Sequence, residues 1–246
     1  MKMINSHLFL LVILSFTFQC TSGSALRSAT EKGQILKVES LLKNEIDINS
    51  KNSNNETPLI IATKLGFSDL VKLFIQKNAN LEAQDKFGFT ALHWATKNRN
   101  LEIAKLLLDA KSDPNSLDFK MNTALFYAVE DGHTDMVKLY LEYHPKIDYQ
   151  NTDGNTFLML ASQKGYVEIS KLLLSQNPNV NLQNNQGMTA LHMAVGKGRI
   201  TILKLLLQYG ANPNIKNIEN QNSDMFAIRN GQTKIRLLLL EFSENK

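Results

Sequence analysis

A period of 33 residues runs through this chain of 246. Stepping by 33 from Ala29 reaches Ala62, Ala95, Ala128, Ala161, Ala194 and Ala227 without a miss. The same step from Leu26 reaches Leu59, Leu92, Leu125, Leu158 and Leu191, and then Asp224. From Gly33 it reaches Gly66, Gly132, Gly165, Gly198 and Gly231, with Arg99 in the remaining place. The pair Leu41-Leu42 recurs as Phe74-Ile75, Leu107-Leu108, Tyr140-Leu141, Leu173-Leu174, Leu206-Leu207 and Leu239-Leu240, and threonine recurs at 57, 90, 123, 156 and 189. No insertion disturbs the register, so one structural unit is used over and over.

Each unit reads as two short helices. "ALHWATKN" places Leu92 and Ala95 three apart on one face, and "NLEIAKLLLDA" places Ile103, Leu106 and Leu107 on one side of a second helix. The recurring alanine lets neighbouring helices approach closely, and the glycine after the first helix suits a left-handed backbone. Helices this short cannot bury both apolar faces alone. Stacking on the next pair buries them.

The period and the core motif resemble the ankyrin repeat. The likeness spans about residues 24–242 and is clearest in "DKFGFTALHWATKNRNLEIAKLLLDAKSDPN" (85–115) and "NQGMTALHMAVGKGRITILKLLLQYGANPN" (185–214). It implies an all-α ankyrin-repeat solenoid of about seven helix-turn-helix units with short hairpin turns, in a single elongated domain. The units divide as 24–51, an N-terminal cap, then 52–84, 85–117, 118–150, 151–183 and 184–216, and 217–246, a C-terminal cap. In the first cap, residues 24–33 are expected to fray, with Ala25 and Leu26 partly packed. In the last, Asp224 replaces the core leucine and Asn222 the threonine, while Ile235 to Leu240 stay apolar and need a cover or a partner.

His93 and His192 share one repeat position, where the family commonly has histidine and its ring is expected to bond neighbouring loop backbone. Three units apart, they are not expected to share a metal. His7, His133 and His144 lack ligand spacing. Trp94 is expected to fill core. Asp85, Asp118, Asp148 and Asp153 fall at turns, where carboxylates bond local backbone N–H groups. Phosphate loops, nucleophile elbows and paired-histidine motifs are absent. The expectation is no enzyme, no cofactor and no metal.

The N-terminus reads as an export signal, residues 1–23. Lys2 precedes an apolar run from Leu8 to Phe18, 11 residues against the roughly 20 a membrane span needs. Cleavage falls near Gly23 or Ser24, or else Cys20, the only cysteine, becomes the lipidated first residue of a bacterial lipoprotein; a retained anchor is the least favoured alternative. Thr17 and Gln19 fit the lipoprotein pattern poorly. Either way the mature chain has no disulfide and relies on packing. The formal charge of +4 falls to +3 without Lys2, too small an excess for nucleic acid.

Ankyrin arrays usually meet partners on the concave side, made of the turn tips and the exposed side of each first helix. Most tips here are small and polar. The exceptions are Lys86, Phe87 and Phe89 on one tip and Phe119 and Lys120 on the next. Exposed aromatics beside cations are what interface hot spots look like; the alternative is that one or two fold back under the neighbouring tip. A second row at the first-helix ends holds Lys64, Lys97, Glu130, Asp131, Lys164, Lys197 and Arg229, which either steer an acidic surface or are merely solvated. Around these middle units the pattern breaks: Met121 and Arg99 replace glycines, and His144-Pro145 and Asn177-Pro178 alter the ends of two second helices. The expected role is an exported, periplasmic or secreted, monomeric scaffold that binds a protein partner, with membrane contact only through a lipid at Cys20. A lipid-tethered envelope scaffold and a secreted effector or toxin inhibitor are alternatives, and a hydrolase hidden in the groove is the least favoured.

Overall fold

The structure, a computed structural model, describes residues 23–44 and 46–244. The expected export signal, with Lys2 and Cys20, lies outside the described residues up to Gly23. Over the described residues the backbone forms fourteen helices in seven consecutive pairs, and no β-strand. They fall into two compact units, Met1–Phe119 and Lys120–Lys246. The first unit holds α1 (23–31), α2 (Ile35–Leu42), α3 (Pro58–Leu65), α4 (Ser68–Gln76), α5 (Ala91–Lys97) and α6 (Leu101–Asp109). The second holds α7 (Ala124–Glu130), α8 (Thr134–Leu141), α9 (Phe157–Lys164), α10 (Val167–Leu174), α11 (Ala190–Gly196), α12 (Ile200–Gln208), α13 (Ser223–Arg229) and α14 (Thr233–Glu244).

The repeat threonine starts the first helix of its pair. Thr57, Thr123, Thr156 and Thr189 each accept a hydrogen bond on the side-chain oxygen from the N–H three residues on, satisfying a donor that a helix start leaves open. Asn222 does the same for Met225 at 3.0 Å, so the substitution in the last repeat keeps the cap. Gly66 and Gly165 end α3 and α9 at φ +76° and +89°. Arg99 and Met121 adopt positive φ, +54° and +58°, without being glycine. The two irregularities therefore leave the turn path intact and carry its strain instead.

Within the first unit α3 packs on α5 and α4 on α6; within the second, α7, α9, α11 and α13 stack in turn, as do α8, α10 and α12. All seven period alanines are buried on the first helices. One repeat position of the five inner second helices forms a buried column within each unit: Phe74 and Leu107 in one, Tyr140, Leu173 and Leu206 in the other, all fully buried. The first cap is better ordered than its sequence suggests. Ala25 is half-buried as expected, but Leu26 is fully buried and Ala29 nearly so, and Arg27 donates to Ser50 Oγ at 3.1 Å, so α1 packs as a first helix over 23–31.

A hydrogen-bond ladder follows the same period. The Gln84 side-chain amide donates to Gly88 O at 3.0 Å and to Leu117 O, 33 residues on, at 2.7 Å. Gln150 repeats this with Gly154 and Gln183, and Gln183 with Gly187 and Lys216. At the other edge, the outer side of α13 and α14 exposes Met225, Ile228, Leu237 and Leu240. Leu237 stands where Lys72, Lys105, Lys138, Lys171 and Lys204 stand in earlier second helices.

His192 ties neighbouring repeats together. Its Nδ1 accepts from the Thr189 N–H at 3.3 Å, which leaves the proton on Nε2 to donate to Gln221 O at 3.2 Å. Burial pushes the imidazole pKa below its ordinary value, partly opposed by the Gln221 carbonyl. The unfolded chain therefore binds a proton more readily than the folded one. This contribution is present above about pH 6.5, the unfolded value, and is lost as pH falls through the lower folded value. Urea midpoints should drop between pH 7 and pH 5 in the parent chain and drop less in His192→Gln. Equal slopes would remove His192 from the acid sensitivity.

Candidate functional site

In the first unit, polar side chains inside each turn hold the tips in shape. Asn52 Oδ1 accepts from the N–H groups of Asn54 and Glu56, both at 2.9 Å. Asp85 Oδ1 accepts from Phe87 at 2.8 Å and Phe89 at 3.0 Å, as expected of a turn carboxylate. Adjacent tips are joined through the backbone, Lys86 N to Asn54 O at 2.9 Å and Phe119 N to Phe87 O at 3.2 Å. The close approach depends on Gly88 at φ +80°, where a Cβ would lie 2.5 Å from Phe119 N.

These turns divide the three expected aromatics. Phe87 and Phe119 are 53% and 69% exposed. Phe89 folds back: its ring stacks on His93 at 5.3 Å and meets the edge of Trp94 at 5.4 Å, so it supports the face from below. Trp94 differs from expectation. It is only half-buried, and its Nε1–H donates to Asp85 Oδ2 at 2.9 Å. An indole N–H needs an acceptor, and an acidic residue at the start of the same repeat was the signal that could have placed it on this face.

Three lysines lie over three rings. Lys64 Nζ is 4.5 Å from the centroid of the Trp94 ring, Lys86 Nζ 5.2 Å from Phe87, and Lys97 Nζ 5.8 Å from Phe89. Each arrangement favours the charged ammonium electrostatically and narrows its rotamers. Lys64 is also paired with Glu56. Burial alone would raise the Glu56 carboxyl pKa, but hydrogen bonds from Lys64 and Asn52 outweigh it and hold the group below the usual carboxylate value. Lys86 donates to Asn54 Oδ1 at 2.9 Å.

The second unit places the remaining residues of the two rows. Lys120 is exposed on the first tip of that unit, and Lys164 and Lys197 are exposed at the ends of α9 and α11. Arg229 is bonded to Glu219 and to Gln221 Oε1. The structure thus gathers Lys64, Lys86, Lys97, Phe87, Phe89 and Phe119 in one unit and leaves Lys164 and Lys197 in the other. Among the described residues, no three His, Cys, Asp or Glu side chains converge as a metal ion would require, and no helix is long and apolar enough to cross a membrane.

Paired short helices that recur every 33 residues, most first helices capped by a side chain, define a helical repeat protein. The chain belongs to the ankyrin-repeat family: the family model for ankyrin repeats (3 copies) matches residues 26–118, 113–184 and 176–246. The crystal structure of the ankyrin repeat domain of Bcl-3, a unique member of the IkappaB protein family, is similar. It shares 29% identity, covers 82% of this chain and 93% of that one, and superposes with a TM-score of 0.78. No curated protein matches significantly in sequence. Ankyrin repeats generally mediate protein–protein interaction and typically serve as scaffolds without catalysis.

Proposed function

We infer that the chain binds a partner protein through the tip and first-helix face of its first unit. The observation that carries this is the exposure of Phe87 and Phe119 on tips that a hydrogen-bonded turn holds in place. Rigid aromatics lose little conformational entropy on binding and are common anchors of interfaces. The partner-facing set is Lys86, Phe87 and Phe119, with Lys64 and Lys97 beside them and Phe89 beneath. Lys120, Lys164 and Lys197 belong to the second unit, Lys120 on a tip and Lys164 and Lys197 at first-helix ends.

A pull-down from the native source, comparing the intact chain with Phe87→Ala/Phe119→Ala, tests the reading. Loss of two anchors of the usual hot-spot size, about 2 kcal/mol each, should weaken capture by at least about a hundredfold. Equal recovery by both would discard the face. Export from the cytoplasm is part of the same proposal and rests on the apolar run after Lys2. A mature N-terminal mass starting at or after Cys20 is expected, and an uncut Met1 terminus would discard it.

A further inference from the structure

We propose that the partner segment seated on the first unit's face is acidic, with carboxylates flanking an apolar side chain. This rests on the preceding reading of that face. The charge arrangement carries it. The carboxylates within the first unit's tips are Glu56, Asp85 and Asp118, and all three are buried. Glu56 is paired with Lys64, and Asp85 uses one oxygen on the Phe87 and Phe89 N–H groups and the other on Trp94. What faces outward is positive: Lys51, Lys86 and Lys97 are exposed, and Lys64 is half-exposed.

Those ammonium groups are also pre-placed. Lys64, Lys86 and Lys97 each lie over a ring of this same face, 4.5–5.8 Å from its centroid, which limits the rotamer freedom lost when a carboxylate arrives. An apolar side chain between two carboxylates would rest on Phe87 and Phe119 while the acids reach Lys86 and Lys97. Nucleic acid fits less well. Its backbone needs a denser run of cations, and the Phe89 ring, which could otherwise stack a base, is already engaged by His93 and Trp94.

Trp94 is the only tryptophan in the chain and lies under Lys64, so its emission reports on this face. The probe is the synthetic peptide Glu-Glu-Phe-Glu-Glu-Leu-Glu-Glu, titrated into the full chain at low salt. A saturable change in emission is expected, with affinity falling about tenfold or more between 50 and 200 mM salt, as association of unlike charges weakens under screening. Lys86→Ala/Lys97→Ala should weaken binding about tenfold or more, and Lys86→Arg/Lys97→Arg should restore it. Circular dichroism matching the parent confirms that each variant is folded. The assignment is overturned if the lysine-for-glutamate peptide binds equally, if salt has no effect, or if an oligothymidylate binds more tightly than the acidic peptide. It is also overturned if the acidic peptide produces no change. In that case, a pull-down that still depends on Phe87 and Phe119 keeps the face and discards only the acidic partner.

Discussion

Phe74→Ala should cost about 3–5 kcal/mol of folding free energy, the range for removing a buried aromatic from a packed core. The Phe74 ring is wholly buried on α4, in the column that Leu107 continues on α6. Truncation opens a cavity in the packing of α4, a helix of nine residues that rests on α3 and α6. Phe74→Leu keeps most of the volume and matches the residue at 107, so it should lose less than about 1.5 kcal/mol. Urea unfolding followed by circular dichroism measures both. A loss below about 1 kcal/mol for the alanine variant would mean that the column carries little of the stability.

Gly88→Ala should act on stability and binding together. Its left-handed backbone costs a residue with a Cβ on the order of 1–3 kcal/mol. The added carbon would also meet the Phe119 backbone nitrogen at 2.5 Å. Since that neighbour is backbone, the tips must separate, breaking the Phe119 N–H to Phe87 O bond and moving one exposed ring away from the other. The variant should therefore fold with a lowered midpoint and also bind the partner more weakly, although no contacting side chain has changed. Gly210→Ala is the control, because nothing lies within 4 Å of a Cβ there. It should lose stability through φ +85° alone and leave binding unaltered. Unchanged binding by Gly88→Ala would separate the tip geometry from recognition.

Much of this molecule is written along the chain. The period located the helix pairs and the alanine contacts, because each repeats at one place in every unit and local chemistry accounts for it; the recurring threonine was visible, but its capping role came from the fold. Asp85 was legible as a turn residue for the same reason. Three features were not. Leu26 was expected to be loosely held, yet nothing in an apolar residue near a terminus says whether the next helix covers it. Trp94 reads as core because the resemblance puts an aliphatic side chain at that position. Its indole N–H turns it toward Asp85 instead, and period alone carries no information about a single polar atom. The fate of Phe89 against Phe87 and Phe119 depends on which ring finds His93 beneath it, a contact made across the turn in space. Side-chain direction at a tip is a tertiary property, so the candidate site was legible as a region and resolved only by the fold.

The rungs made by Gln84, Gln150 and Gln183 each reach the carbonyl 33 residues ahead as well as one in their own turn. One inserted or deleted residue between a glutamine and its distant acceptor would shift that carbonyl out of reach and rotate the next helix off its alanine seam. Loss or duplication of a whole module would leave every rung with an equivalent acceptor. Such a gene can drift by substitution at its tips, or change length in module-sized steps, but has little tolerance for small indels.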